Sequence, residues 1–242
     1  GRMKYAVVTG GTKGIGLGIV KILLERGFHV FTNYARDEEA AKRVGLELEQ
    51  WKDRLSIVQA DQSDKESFAR FVQIVKSKAE SINCIVCNAG MTIRKPNMGI
   101  TDEQWEQVMQ VAVNSHFFLI RDCYEMIEPD SRIIFIGSMM GVLPHGTSLP
   151  YGVSKAAVHA LAKNLVKEFE GTGTTVNAIA PGFVETEWQK DKPQHIRENI
   201  YGKTAIKRFA TVDEIANAVA FCLDNQFVNG SVIEVSGGYC FK

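Results

Sequence analysis

The chain has 242 residues, of which 45% are hydrophobic and 23% are charged, a composition typical of globular domains rather than disordered or collagen-like chains. Its 28 basic and 28 acidic side chains cancel to a net charge of zero, which argues against nucleic acid or an anionic membrane as a general partner. No apolar run reaches the ~18 residues of a membrane span, and no secretory signal pattern opens the chain. We therefore expect a cytoplasmic protein.

Short β-branched runs alternate with longer amphipathic segments along the whole chain. The predicted strands are 5–9, 28–33, 55–60, 82–87, 132–136, 174–179 and 231–235. The predicted helices are 15–26, 38–51, 65–80, 102–127, 151–170 and 212–223. This alternation predicts a doubly wound α/β fold, in which helices cover both faces of a parallel sheet. No composition shift marks a second domain, so we expect one domain over residues 1–242, with the polar segment 185–209 as a substrate lid.

The chain has five cysteines, at positions 84, 87, 123, 222 and 240. Cys84 and Cys87 form a Cys-x-x-Cys pattern, which invites a zinc or redox interpretation. Both lie in a predicted buried strand, where residues three apart point to opposite faces and cannot share a metal. We therefore predict no metal site, and buried thiols in a reducing compartment.

A glycine-rich turn follows the first predicted strand and leads directly into a helix. Gly10, Gly14 and Gly16 would let the backbone turn tightly, approach a pyrophosphate at the helix N-terminus and pack the helix on the strand. The spacing differs from Gly-x-Gly-x-x-Gly, and an ordinary glycine-rich turn is the alternative. The strand–turn–helix context favours a dinucleotide site.

The end of the second predicted strand bears on the choice between NADP and NAD. A carboxylate there would bind the ribose 2′-hydroxyl of NAD, whereas nearby cations would bind the 2′-phosphate of NADP. Asn33 stands at this place, and Arg36 and Lys13 can converge on a phosphate. Asp37 and Glu38 are the counter-argument, although they also suit the first turn of the next helix. We predict NADP, with NAD as the alternative.

Three residues near the fifth predicted strand suggest acid–base chemistry. If a helix begins at Tyr151, Lys155 lies one turn further on the same face, where an ammonium would lower the pKa of the phenol. Ser138 follows the strand at its carboxyl end, and its hydroxyl could bind a substrate carbonyl. A Tyr-x-x-x-Lys pattern alone is often accidental, but its position after this strand makes accident a poor explanation.

From Met3 to Phe241 the chain resembles the short-chain dehydrogenase/reductase family, on motifs that occur in order. They are Thr9-Gly10…Gly14-x-Gly16, Asp61, Asn88-Ala89-Gly90, Asn114, Ser138, Tyr151, Lys155, Pro181-Gly182 and Thr186. The resemblance implies a Rossmann-type sheet of seven strands in the order 3-2-1-4-5-6-7, and a nicotinamide cofactor.

The resemblance also implies roles for individual residues. Tyr151 would be the general acid/base, Lys155 would lower its pKa and bind the nicotinamide ribose, Ser138 would polarise the carbonyl, and Asn114 would hold a water that links Lys155 to solvent. The implied cofactor-binding residues are Gly10, Thr12, Lys13, Gly14, Ile15, Gly16, Asn33, Arg36, Asp61, Gln62, Asn88, Ala89, Gly90, Tyr151, Lys155, Pro181, Gly182, Val184 and Thr186.

Within the family, the segments Asn33-Tyr34-Ala35-Arg36 and Ala205-x-x-Arg208-Phe209 resemble the 3-oxoacyl-(acyl-carrier-protein) reductase branch, as does Gly90-x-Thr92. This implies reduction of a 3-oxoacyl thioester in fatty acid biosynthesis, a homotetramer, and acyl carrier protein as a partner. Members of this branch usually present basic residues before strands five and six. Glu128 and Asp130 stand before strand five here, and acids would repel an acidic carrier.

Two alternatives to this function stay open. One is an NAD(P)-dependent dehydrogenase of a polyol, sugar or hydroxysteroid that uses the same site. The other is a non-catalytic NADP-binding module, although such modules typically lack the tyrosine or the lysine. His116, His145 and His195 have no assigned role.

Overall fold

The computed structural model of the protein describes residues 1–146 and 148–239. Its strands are β1 Lys4–Val8, β2 Phe28–Tyr34, β3 Leu55–Gln59, β4 Ile82–Cys87, β5 Ile127–Ile136, β6 Thr175–Pro181 and β7 Val232–Val235. Its α-helices are α1 Gly14–Glu25, α2 Glu38–Glu47, α3 Lys65–Lys78, α4 Asp102–Met109, α5 Ser115–Asp122, α6 Leu149–Leu165, α7 Glu187–Lys190, α8 Gln194–Tyr201 and α9 Val212–Asp224.

All seven strands form one parallel sheet in the order β3-β2-β1-β4-β5-β6-β7. The expected fold class and strand order are therefore confirmed. The order reverses between β1 and β4, which opens a crevice at the carboxyl edge of the sheet. The glycine-rich turn after β1 and Asn88 after β4 both lie at this crevice.

The core consists of two apolar layers, one on each face of the sheet. One layer contains Phe68 and Phe71 of α3, with residues of α5 and α6. The other contains Leu23 and Leu24 of α1, with residues of α2 and α9. Each strand supplies residues alternately to the two layers, because successive side chains point to opposite faces of a sheet. Burial on both faces accounts for the near-continuous apolar runs in the sequence.

Side-chain caps set several helix starts. The Asp37 carboxylate accepts the Ala40 N–H at the start of α2, and that of Asp64 accepts two N–H groups at the start of α3. Thr101 and Thr211 form capping boxes at α4 and α9. Each cap satisfies backbone donors that the helix itself cannot pair.

Several predicted boundaries are wrong. The helix expected at 102–127 is interrupted by a π-helical turn, Gln110–Asn114, and Ile127 already belongs to β5. The helices expected to reach residues 51 and 170 end at Glu47 and Leu165, and 3₁₀ turns follow each of them. The polar segment 185–209, in which no helix is expected, contains the short helices α7 and α8.

Candidate active site

A cavity of about 890 Å³ opens at the carboxyl edge of the sheet, beneath the segment 185–209. It brings together residues that follow four different strands and the first turn of α1. The sequence-predicted residues that line it are Ile15, Asn88, Gly90, Ser138, Tyr151, Lys155, Pro181, Gly182, Val184 and Thr186. This is the edge at which doubly wound sheets bind their ligands.

Tyr151 and Lys155 lie on one face of α6, in its first two turns. Pro150 favours the helix start, because its fixed φ suits the first turn and its missing N–H is not needed there. The Lys155 Nζ lies 5.6 Å from the centroid of the Tyr151 ring and donates a hydrogen bond to the Ile136 carbonyl oxygen, at 2.9 Å. Lys155 is only 4% exposed, so its ammonium is held at the cavity floor.

Burial dominates the pKa values of this pair. It lowers the pKa of Lys155 to about 8. It also raises the pKa of Tyr151, and a hydrogen bond with Ser138 opposes that rise. The expectation that Lys155 brings the tyrosine pKa below its usual value is therefore corrected. Desolvation outweighs the hydrogen bond with Ser138, and the phenol stays protonated at neutral pH.

Ser138 is oriented by its own loop and by a histidine that the sequence analysis did not single out. Its Oγ accepts the Met140 N–H at 3.0 Å, and its own N–H donates to the Nε2 of His159 at 3.3 Å. A Cβ at Gly137 would overlap the His159 ring, so the glycine admits this contact. His159 lies four residues after Lys155 in α6, and helical spacing could have indicated it.

The glycine-rich turn has the geometry of a phosphate cradle. Gly10 and Gly14 have positive φ angles of 64° and 49°, which favour glycine. A Cβ at Gly16 would overlap the Gly10 carbonyl oxygen and lie close to Asn88 Nδ2, so the helix can pack this closely only with glycine. The side chain of Lys13, the N-cap residue of α1, makes no capping hydrogen bond, so the first N–H groups of α1 can bind an anion.

Asn33 and Gln62 lie behind this turn instead of facing the cavity. Asn33 Oδ1 accepts the Gly10 N–H at 3.1 Å, and its Nδ2 donates to Gln62 Oε1 at 3.2 Å. Both side chains are buried, at 2% and 4% exposure. The structure therefore places both side chains as supports of the turn. Their role as cofactor ligands stays a prediction.

The charged residues expected to select the cofactor form a cluster at the ends of β2 and β3. Lys13 Nζ lies 2.6 Å from an Asp37 carboxylate oxygen, and Arg36 lies 3.7 Å from Asp61. Hydrogen bonds from the Lys13 ammonium and from the Ala40 N–H lower the pKa of the Asp37 carboxyl. Asp37 thus caps α2 as expected, and it also neutralises Lys13. The cluster contains two cations and two carboxylates.

Asn114 is the last residue of the π turn, and His116 follows it in α5. Asn114 ends this turn with its side chain exposed, and it is not among the described residues that line the cavity. Its expected role, to hold a water that links Lys155 to solvent, stays a prediction. His116 instead points inward and contacts Thr9 and Gln62.

The remaining predicted residues surround the same turn. Thr12 is buried, and the N–H groups of Asn88 and Ala89 donate to Thr9 Oγ1 at 2.9 and 3.0 Å. A Cβ at Gly14 would lie 3.5 Å from the Thr186 methyl group, so the lid begins beside the N-terminus of α1.

Other candidate residues lie away from the cavity. Cys84 and Cys87 belong to opposite core layers, as predicted, and burial raises the pKa values of both thiols. Cys240 lies outside the described residues. His145 packs against Gly152, and His195 is exposed on α8.

The lid is anchored at both ends. Val184 and Ala210 form a parallel β-bridge, and the Arg197 guanidinium pairs with Glu185 at 2.6 Å. Arg197 also lies over the Phe209 ring, 4.6 Å from its centroid. Within the described parts of the chain, every helix is too short or too polar to cross a membrane.

Comparisons with known proteins find relatives along nearly the whole chain. Residues 4–197 match the family described as short chain dehydrogenase. A 3-oxoacyl-[acyl-carrier-protein] reductase FabG of Rickettsia felis is 31% identical over 97% of this chain and 96% of that protein. A short-chain dehydrogenase/reductase from Serratia marcescens superposes with a TM-score of 0.91 at 27% identity, over 98% of each chain. A blue fluorescent protein from a metagenomic library, solved in complex with NADPH, superposes with a TM-score of 0.90 at 27% identity, over 97% of each chain.

Proposed function

Because the chain belongs to the short-chain dehydrogenase/reductase family, we propose that it reduces a carbonyl group with NADPH, and that its substrate is a 3-oxoacyl thioester. The observation that carries this proposal is the placement of Tyr151, Ser138 and Lys155 in one cavity beside the glycine-rich turn. The cavity volume of about 890 Å³ has room for a nicotinamide and a substrate together.

The residues present fit a dinucleotide. Gly10, Gly14 and the uncapped N-terminus of α1 would hold the pyrophosphate, and Thr186 lies beside them. Gly90 lines the cavity next to Lys155, since a Cβ there would lie 3.1 Å from Nζ, and the missing side chain leaves space for a ribose. When bound, the nicotinamide would supply the hydride.

Tyr151 would donate the proton that the reduced carbonyl oxygen requires. Burial raises the pKa of its hydroxyl, so the phenol carries a proton that it can donate at neutral pH. Ser138 would donate a hydrogen bond to the same oxygen and hold it in line. The Lys155 ammonium, charged below a pH of about 8, would stabilise the phenolate that remains.

The preference for NADP is supported by Lys13 and Arg36, which lie at the place where a 2′-phosphate is expected. An incoming phosphate would compete with Asp37 and Asp61 for these cations. The structures that match this chain include a protein solved in complex with NADPH. NAD is the alternative, because Asp37 could instead accept a ribose hydroxyl.

A thioester of an oxo acid suits the apolar part of the cavity wall. Met139, Met140, Phe183, Ile196 and Ile200 line it, which gives an acyl chain apolar contacts. The Rickettsia felis protein that is 31% identical to this chain is a 3-oxoacyl-[acyl-carrier-protein] reductase, which supports this substrate class.

The position of Glu128 and Asp130 bears on the carrier protein. Both lie near the start of β5, whereas Ser138 follows the end of this strand. The two acids are thus at the opposite edge of the sheet from the cavity. Within one chain they would not repel a carrier that docks at the cavity mouth, so acyl carrier protein stays part of the proposal.

A substrate panel tests this function. For reduction, we would measure NADPH oxidation with a 3-oxoacyl pantetheine thioester, with its carrier-protein form and with a simple ketone. For oxidation, we would measure NADP⁺ reduction with polyols, sugars and hydroxysteroids. The proposal predicts the highest kcat/KM with a 3-oxoacyl thioester. Faster oxidation of an alcohol would favour the dehydrogenase alternative. NADPH binding without turnover of any of them would favour a non-catalytic module.

We also propose that the chain assembles as a homotetramer. Exposed apolar side chains on adjoining helices support an interface: Trp105 on α4, Phe117 on α5 and Val153 on α6. Light scattering after size exclusion tests this, because a tetramer would have four times the 26.9 kDa of one chain. A mass of one chain at micromolar concentration would refute it.

A further inference from the structure

Two side chains from successive turns of α6 form hydrogen bonds with the end of β5 and the loop that follows it. The Lys155 ammonium donates to the Ile136 carbonyl oxygen, at 2.9 Å. One turn later in the helix, the Nε2 of His159 accepts the Ser138 N–H, at 3.3 Å. Tyr151 and Lys155 belong to α6, whereas Ser138 belongs to the loop. The two bonds therefore hold the helix of the proposed proton donor against the loop of the residue that would bind the carbonyl.

The ring of His159 packs against two glycines of this loop. A Cβ at Gly137 would overlap the ring, and a Cβ at Gly141 would lie 3.0 Å from its Cε1. His159 is buried, with an exposed fraction of 7%. A ring enclosed in this way has few alternative positions, because packed interiors leave little free space. Its nitrogen therefore stays directed at the Ser138 N–H.

His159 is neutral at neutral pH, as an acceptor must be. Burial is the main cause that lowers its pKa, to about 4, and the charges of Lys155 and Lys163 lower it further. A neutral imidazole has one nitrogen that donates and one that accepts. Since Nε2 accepts the Ser138 N–H, the hydrogen of the ring is on Nδ1. The acceptor for Ser138 is therefore present throughout the neutral range.

The two hydrogen bonds differ in what a bound cofactor would do to them. Lys155 lines the cavity and is expected to bind the nicotinamide ribose, which would compete with its bond to Ile136. His159 is not among the described residues that line the cavity, so a ligand there would leave its bond with Ser138 in place. His159 can thus hold the loop both before and after ligands bind.

The backbone of Ser138 determines where its hydroxyl lies. The Oγ accepts the Met140 N–H at 3.0 Å, and the side chain also forms a hydrogen bond with Tyr151. A shift of this backbone would move the hydroxyl away from the carbonyl that it is expected to bind. Misplacement by about 1 Å can cost on the order of 10²-fold in rate. Anchoring of the Ser138 N–H therefore bears on the chemical step more than on cofactor binding.

We propose that His159 is a positioning residue of the reduction: through the backbone of Ser138, it holds the serine hydroxyl where it binds the substrate carbonyl beside Tyr151. The inference rests on the function proposed above and adds to it a residue that touches neither substrate nor cofactor. Its loss should lower kcat and leave the affinity for NADPH nearly unchanged.

Variants of His159 test this role with the best substrate of the panel. H159L has a similar volume and removes the acceptor, so kcat should fall about tenfold while the NADPH affinity, from fluorescence titration, stays nearly the same. Glutamine can place an oxygen near the position of Nε2, so H159Q should recover most of the kcat. If urea unfolding shows that H159L is not folded, H159M replaces it, because methionine adapts to irregular spaces.

H29L is the matched control for the loss of a histidine. The Nε2 of His29 also forms a hydrogen bond with a serine, Ser56, at 3.1 Å. His29 lies in β2 and is not among the described residues that line the cavity. H29L should therefore keep the kcat of the unmodified protein.

A double-variant cycle shows whether His159 acts through Ser138. S138A removes the hydroxyl, so the exact position of this residue no longer matters to the carbonyl. In the S138A background, H159L should therefore change kcat by less than about twofold, measured in single turnovers with enzyme in excess. A general distortion of α6 would instead lower kcat by the same factor in both backgrounds, and that result would overturn the proposal.

The outcomes distinguish this inference from the function on which it rests. If the unmodified protein reduces a carbonyl and H159L retains its kcat, the positioning role is refuted and the reductase function stands. If H159Q is no more active than H159L, the acceptor is not what the reaction needs, and the role is refuted as well. If the unmodified protein turns over no substrate of the panel, the reductase function fails, and the role of His159 fails with it.

Discussion

The hydroxyl of Thr9 donates a hydrogen bond to the Nε2 of His116, over 2.8 Å and across 107 positions of sequence. The direction follows from the other contacts, because Thr9 Oγ1 already accepts the N–H groups of Asn88 and Ala89. The Nδ1 of His116 donates to the Ala112 carbonyl oxygen, at 2.7 Å. A neutral histidine therefore joins the loops that border the cofactor turn to the helix that follows the π turn.

Replacement of His116 by leucine should destabilise the fold and weaken NADPH binding. Leucine would leave the buried Thr9 hydroxyl without the acceptor that His116 provides, which costs roughly 1–3 kcal/mol of unfolding free energy. Urea unfolding and a fluorescence titration with NADPH measure the two effects. H195L is the control, since His195 is exposed. Equal stability of H116L and the unmodified protein would contradict the role we assign to this residue.

The pH dependence of stability should reflect the same histidine. Burial lowers the pKa of His116 from 6.5 to about 4, so the unfolded chain binds the more protons between these values. The unfolding free energy should fall as the pH decreases from about 6.5 to 4, by up to about 3 kcal/mol from this group. Burial also lowers the pKa of His159 to about 4, which adds to the fall. H116L should show a shallower dependence, and an unchanged one would count against a buried neutral His116.

Much of the fold could be predicted from the sequence, because burial on both faces of a parallel sheet leaves apolar runs that are easy to see. The π turn at Gln110–Asn114 could not be predicted in this way. The same residue types suit α and π turns, and the difference lies in one extra residue per turn.

In the candidate site, too, some features could be predicted from local sequence patterns and others could not. Tyr151, Ser138 and Lys155 follow strand ends and helical spacing, so their assembly could be inferred from local patterns. The roles of Asn33 and Gln62 depend on how β2, β3 and α5 meet, which no local pattern contains.

Cofactor preference can be tested at the cluster beside the turn. If Lys13 and Arg36 bind a 2′-phosphate, the double variant K13Q/R36Q should lose about tenfold or more in NADPH affinity and little in NADH affinity. Fluorescence titration with both cofactors measures this. K42Q is a suitable control, because Lys42 is an exposed lysine of the neighbouring helix α2. NADH binding as tightly as NADPH to the unmodified protein would refute the preference.

The rate of reduction should decline at alkaline pH because of Lys155. Its pKa of about 8 means that the ammonium beside Tyr151 is present below this pH and is lost above it. The value of kcat/KM for reduction should therefore be level below about pH 8 and fall above it. In K155R, a guanidinium stays charged, so any remaining activity should not decline in this range. A level profile to pH 10 in the unmodified protein would show that the charge of Lys155 is not required.

The central claim is that Tyr151 donates the proton in an NADPH-dependent carbonyl reduction, and the Y151F variant tests it most directly. Phenylalanine keeps the ring and removes the hydroxyl, so kcat should fall by about 10²–10⁴-fold while the NADPH affinity stays nearly the same. Y124F provides the control, because Tyr124 is exposed and its hydroxyl bonds to the Glu168 carbonyl oxygen away from the cavity. The kcat is measured with the best substrate of the panel. A Y151F variant that retains the kcat of the unmodified protein would contradict the account.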